Sequence, residues 1–201
     1  MGWCDANETF IREPESGTDT NTTGDEDFID SPGYPDLNLP QLNCSLSIVA
    51  KSHKRVVLTI IDFDLDDFGE EFCKFDNYLS VDLGQSKTVQ LCGSLNTRNI
   101  FIGQQFISYG NTMKVHYITS TSLVTMQSKR GFRFSYRFAD TTARISSLME
   151  LSAAQTGKVA NLNYPHECPN DYHIYLKAEI SHQIELRLPR LTYMKINDGP
   201  R

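Results

Sequence analysis

Val56-Val57-Leu58-Thr59-Ile60-Ile61-Asp62-Phe63 is a nearly unbroken apolar run rich in residues branched at Cβ. Such side chains favour extended backbone, and an almost continuous apolar run suits a strand covered on both faces, so a central strand is expected here. Just upstream, Cys44-Ser45-Leu46-Ser47-Ile48-Val49-Ala50 alternates with period two, as a half-buried strand does, and residues 51–55 form a polar turn. Downstream, an acidic loop at 64–71 leads to Cys73. Strands are expected at 77–83 and 89–93 around a turn at 84–87, then at 100–108, 112–119 and 131–138. Gly110-Asn111 and the polar stretch 119–129 supply the turns between the last three. Short strands at this spacing, with no convincing helix, specify an all-β sandwich or barrel.

The chain has 201 residues, 39% of them hydrophobic, enough for a globular core. Nineteen basic against 25 acidic side chains give a net charge of −6, and no basic stripe of the kind that grips phosphates is present, which argues against nucleic acid as partner. No apolar run approaches the roughly 18 residues of a membrane span, and the N-terminus lacks the apolar core of a signal peptide. Yet five cysteines, Cys4, Cys44, Cys73, Cys92 and Cys168, are dispersed without any C-x2-C spacing, and N-x-S/T sequons occur at Asn7, Asn21 and Asn43. Together these favour an oxidising compartment, so an extracellular protein, secreted or ectodomain, is expected, with a cytosolic one as the alternative. Export chemistry and the absent signal reconcile if the sequence is an internal segment of a longer protein or an incomplete reading of its gene. The odd cysteine count leaves at least one thiol free or paired elsewhere.

Residues 1–27 are polar and read as a flexible leader. The body begins at Phe28, followed by the turn-forming Ser31-Pro32-Gly33-Tyr34-Pro35. Residues 139–156 lose aromatic character and read as a linker or a short helix. Beyond it, Gly157-Lys158-Val159-Ala160-Asn161-Leu162-Asn163-Tyr164-Pro165 resembles residues 28–35, residues 172–178 lie over 44–50, and residues 183–188 mirror the strand after Arg55. One full unit, 28–138, is therefore followed by a truncated second unit, 157–201.

The order of motifs in the first unit resembles the CUB domain family. S-P-G-Y-P stands at 31–35, a cysteine opening an alternating strand at 44, F-D-L-D at 63–66 and C-K-F-D at 73–76, with L-C-G at 91–93 and G-F-x-F-x-Y at 131–136. The resemblance implies a jelly-roll-like sandwich of two antiparallel sheets, with disulfides Cys4–Cys44 and Cys73–Cys92. In the second unit Tyr172 takes the place of Cys44, which leaves Cys168 as a lone thiol or a link to a segment outside this chain. The same resemblance implies a Ca2+ site beside a partner-binding surface, with Asp66 and Asp76 as ligands. Its third ligand falls at Ser120, or at Thr121 with a one-residue slip, where no charge is available; Asp64, Asp67, Glu70 or Glu71 are the possible substitutes. A merely solvated acidic loop is the competing reading. An EF-hand is excluded, because its sixth position is Asp67 and its twelfth Cys73.

The histidines, His53, His116, His166, His173 and His182, form no H-E-x-x-H, and neither G-x-S-x-G nor a phosphate-binding glycine loop occurs. His166-Glu167-Cys168 lacks the further ligands of a zinc site. The expectation is a non-catalytic extracellular module without a resident cofactor, binding a protein or glycan ligand through the loops at 64–71 and 119–129. An accessory region of a secreted serine or astacin-type protease, or part of a receptor ectodomain, are the alternatives.

Overall fold

A side-chain period of two decides which residues of each strand meet between the sheets. The computed structural model describes residues 3–4, 9–13, 27–36, 39–65, 73, 77–95, 100–119, 129–142, 145–151, 163, 172–178 and 185. Its strands are β1 (Thr9–Arg12), β2 (Asp27–Asp30), β3 (Asn43–Val49), β4 (Lys54–Asp64), β5 (Tyr78–Gly84), β6 (Lys87–Leu91), β7 (Gln105–Ile107), β8 (Thr112–Ile118), β9 (Gly131–Asp140), β10 (Ile145–Leu151) and β11 (Tyr172–Ala178). A five-stranded sheet runs β1-β3-β8-β5-β6, and a four-stranded sheet runs β2-β9-β4-β7. Every neighbour pair in these two sheets is antiparallel except β1 with β3, which is parallel.

The core lies between the sheets and follows the expected alternation. Leu46 and Ile48 of β3, Leu79, Val81 and Leu83 of β5, and Val115 and Tyr117 of β8 are buried from one side. Leu58, Ile60 and Phe63 of β4, with Phe132 and Phe134 of β9, close it from the other. Phe132 is the hub: its ring centroid lies 5.0 Å edge-on from Tyr117, 5.1 Å from Phe134, 6.3 Å from Trp3 and 6.4 Å from Phe63. On the far side of the five-stranded sheet the pairs are polar, Ser80 opposite His116 and Asp82 opposite Lys114, so His116 has a strand-surface role.

Two disulfides, Cys4–Cys44 and Cys73–Cys92, join positions whose Cα atoms are 4.9 and 5.6 Å apart, as the resemblance implied. The first ties down a segment that the polar composition assigns to a flexible leader. Thr9–Arg12 instead form β1 on the edge of the five-stranded sheet, and the Trp3 indole donates to the Asp30 carbonyl at 2.8 Å. Glu13 continues the attachment, accepting from the Lys51 amide at 3.0 Å and pairing with Lys54 at 2.6 Å. Pairing with β3 overrides local composition here, since four residues with two apolar side chains give almost no periodic signal. The stretch at 139–156 also differs from expectation, because β9 runs on to Asp140 and residues 145–151 form β10. The candidate strand at 100–108 contracts to Gln105–Ile107.

β10 pairs with β11 in parallel, the geometry of β1 with β3, and Ser147 faces Ile174 as Thr9 faces Leu46. Among the described residues, no helix is long and apolar enough to cross a membrane.

Candidate binding surface

Where β4 ends, its alternation breaks. The register with β9 shifts between Ile60 and Asp62, so Ile60 and Phe63 both enter the core while Asp62 and Asp64 turn outward. Strict alternation from Ile60 would have sent Asp62 inward, at the cost of a buried carboxylate. Bulges re-aim side chains in this way next to binding sites.

The outward carboxylates belong to a continuous row of charges and rings across β2, the turn after it that carries Tyr34, β9 and the end of β4. Arg133, opposite Asp30 in the β2–β9 register, holds that carboxylate with two bonds of 2.7 and 2.6 Å. Its guanidinium lies 5.4 Å from the Phe28 ring centroid and 5.2 Å from that of Tyr34, so it is wedged between two aromatic faces. The Tyr34 hydroxyl donates to Asp62 at 3.1 Å, and Arg130 reaches the same carboxylate at 3.2 and 3.0 Å. Asp64 completes the row, accepting from the Ser94 hydroxyl at 2.6 Å, from Lys129 at 3.3 Å and from the Arg130 amide at 3.3 Å.

These contacts set the protonation of the row. Burial, then the bond to Asp62 and its charge, pushes the Tyr34 phenol up. Burial alone would raise Asp64, but the Ser94 hydroxyl, the Arg130 amide and the Lys129 ammonium outweigh it and hold the carboxyl below its ordinary range. The side-chain bond to Asp62 raises Arg130, and the bond to Asp30 raises Arg133. The surface is therefore an array of paired charges around the Phe28 and Tyr34 rings, with Phe28 57% exposed and the Arg130 side chain 51% exposed.

Of the two loops expected to bind, 64–71 and 119–129, the described ends Asp64 and Lys129 are joined by an ion pair of 3.3 Å. Most of both loops lies outside the described residues. So do Asp66, Asp76, Ser120 and Thr121, the implied Ca2+ ligands, along with Asp67, Glu70 and Glu71. Asp64, the one substitute ligand that is described, fits a metal poorly, since a lysine, an amide and a hydroxyl already occupy its oxygens. No group of three or more His, Cys, Asp or Glu able to hold a metal occurs among the described residues. Asn43 is exposed at the start of β3, whereas Asn7, Asn21 and Cys168 lie outside the described residues.

Sequence reading missed Phe28, Asp30, Tyr34, Arg130 and Arg133 as one surface. Part of the signal was present: with Phe132, Phe134 and Tyr136 facing the core, Arg133 between them had to point out. The bulge that turns Asp62 toward Tyr34 leaves no such mark in sequence.

Residues 17–136 match the family model described as CUB domain. Cubilin of Canis lupus familiaris is 27% identical over 172 residues, covering 83% of this chain and 4% of cubilin. Blastula protease 10 of Paracentrotus lividus is 30% identical over 119 residues, covering 58% of this chain and 18% of the protease. This chain thus spans less than a fifth of either relative. The full extracellular region of zebrafish Gpr126/Adgrg6 superposes with a TM-score of 0.51 at 24% identity, over 67% of this chain and 15% of that one.

Proposed function

This chain belongs to the CUB domain family, and from that premise we propose that it is a non-catalytic extracellular module that binds a protein ligand through the Phe28–Tyr34–Arg133–Arg130 row. One observation carries the reading: an exposed phenylalanine, a half-buried tyrosine and two arginines are held in place before any ligand arrives, by bidentate and stacking contacts. Aromatic residues and arginine dominate binding energy at protein interfaces, and side chains that are already ordered lose little entropy on docking. The two disulfides fit the oxidising environment that such a role requires. A protein is favoured over a glycan because the paired charges offer complementary points for a charged, shaped surface.

The parallel β10–β11 pair, which repeats the β1–β3 geometry, supports reading the C-terminal part as the opening of a second unit, with β10 in the place of β1. Similarity to blastula protease 10 favours a second role for the whole, as a binding arm beside a protease domain. The two roles share the same surface.

The test is solid-phase binding of the purified chain to arrays of extracellular proteins and of glycans, in parallel with a Phe28→Ser/Arg133→Glu variant. A protein ligand bound by the native chain and lost at least tenfold by the variant is expected. Binding that the variant retains, or binding confined to the glycan array, overturns the proposal.

A further inference from the structure

On the four-stranded sheet, side chains facing away from the core should meet solvent, yet one patch of that outer face is closed. Val57 lies opposite Ile107 and Thr59 opposite Ser135. All four alternate with core-facing neighbours, and none belongs to the core cluster. Val57 and Ile107 are nevertheless 0% exposed and Ser135 1%. β7 is moreover an edge strand, whose outward amides and carbonyls would stand unpaired.

One residue far along the chain takes up that edge. Asn163, itself fully buried, accepts from the Ile107 amide through Oδ1 at 2.6 Å and donates through Nδ2 to the Ile107 carbonyl at 2.9 Å. Its own backbone amide donates to the Gln105 carbonyl at 3.2 Å. A primary amide carries a peptide's donor and acceptor side by side, so this side chain pairs with Ile107 as a neighbouring strand would. The geometry needs a left-handed backbone, φ 63° at Asn163, which asparagine tolerates better than most residues. In the first unit the corresponding Gly33-Tyr34-Pro35 has Gly33 at φ 83°, the same conformation without an amide to offer.

We infer that Asn163 is a latch that closes the β7 edge of the first unit's four-stranded sheet, tying that point of the later chain to the sandwich. The occupant is this chain itself. The latch closes the β7 edge to strand addition from outside and anchors the chain at Asn163 instead of leaving that residue on a free tether. The Asn163 contacts do not depend on the ligand-binding row: they lie on β7, at the opposite edge of the sheet from β2, whereas Ser135 on β9 is the register partner of Phe28.

The test combines amide hydrogen exchange with thiol labelling on the full chain. In the native sequence the Ile107 amide should be protected, and a cysteine at Thr59→Cys, opposite Gln105 of β7, should resist maleimide, read by peptide-resolved mass spectrometry to separate it from Cys168. Asn163→Gly keeps the left-handed backbone and removes only the amide. It should speed exchange at Ile107 by about tenfold or more, as expected when a local opening becomes cheap, while the buried β8 amides stay protected. Faster labelling at position 59 should accompany it. Rapid exchange at Ile107 or ready labelling at 59 in the background that keeps Asn163 overturns the inference, even if the glycine variant folds poorly. So does an Asn163→Gly chain with undiminished protection at Ile107.

Discussion

Replacing Phe132 by alanine strikes the point where the two sheets are joined by aromatic contact. The side chain is fully buried, and truncating a buried phenylalanine costs about 3–5 kcal/mol, because transfer and cavity costs add. Its edge-on contact with Tyr117 at 5.0 Å and its tilted contact with Phe134 at 5.1 Å each add about 0.5–1.5 kcal/mol beyond area, which places the loss in the upper part of that range. At a urea slope of about 2 kcal/mol per molar, a loss of about 4 kcal/mol lowers the unfolding midpoint by about 2 M. Phe132→Leu keeps most of the volume and loses the ring edges, so about 1–1.5 kcal/mol is expected. A cycle of Phe132→Leu with Tyr117→Leu should return a coupling of about 0.5–1.5 kcal/mol. Urea unfolding followed by circular dichroism measures all three. A loss below about 1 kcal/mol for Phe132→Ala is the behaviour of a surface site, and with zero coupling to Tyr117 it refutes the proposed packing of β9 against β8.

Opening Cys4–Cys44, which closes a 40-residue separation, by paired Cys→Ala changes should destabilise by about 4 kcal/mol on loop-closure entropy, and opening Cys73–Cys92, separated by 19, by about 3 kcal/mol. Mass spectrometry of the unreduced protein should find both linked peptides. Acid should also destabilise the chain. Glu13 is held below its usual 4.5, because the Lys51 amide and Lys54 outweigh burial, and Asp64 is held below 3.8, so both contribute stability above their unfolded values that is lost as pH falls through their lower folded ones. Asp64→Asn should flatten that part of a stability profile taken below about pH 4. Ca2+ at millimolar concentration should raise the melting temperature little, since Ser120 offers no charge and Asp64 is already neutralised by Lys129; a large rise in thermal shift would show other ligands completing the site. Expression in a glycosylating host should add PNGase-sensitive mass at the exposed Asn43, and peptide mapping that finds it bare in a secreted preparation counts against its use.

How much of this was legible in sequence differs from element to element. β4 and β3 announced themselves through branched residues and alternation, because burial between sheets imposes that period directly. β1 did not, since Thr9–Arg12 become a strand only through pairing with β3 and the Cys4–Cys44 bond. β10 was obscured in the same way, as its seven residues mix serine, methionine and glutamate and gain a partner 20-odd residues later in β11. The binding row was legible one residue at a time and not as a whole. Arg133 had to face outward, but that it would stand between Phe28 and Tyr34 depends on the β2–β9 register, and that Tyr34 meets Asp62 depends on a bulge. The latch at Asn163 was hidden further, since Asn-Tyr-Pro reads simply as a turn; only its match to Gly33-Tyr34-Pro35 marked a left-handed position.

The most direct test of the ligand-binding row is the hydrogen-exchange footprint of a captured protein ligand on the native chain. Protection concentrated at residues 28–34 and 130–133 is expected, with the polar outer face of β5 and β8 unchanged. A footprint on that outer face, leaving 28–34 and 130–133 exchanging as in the free chain, contradicts it.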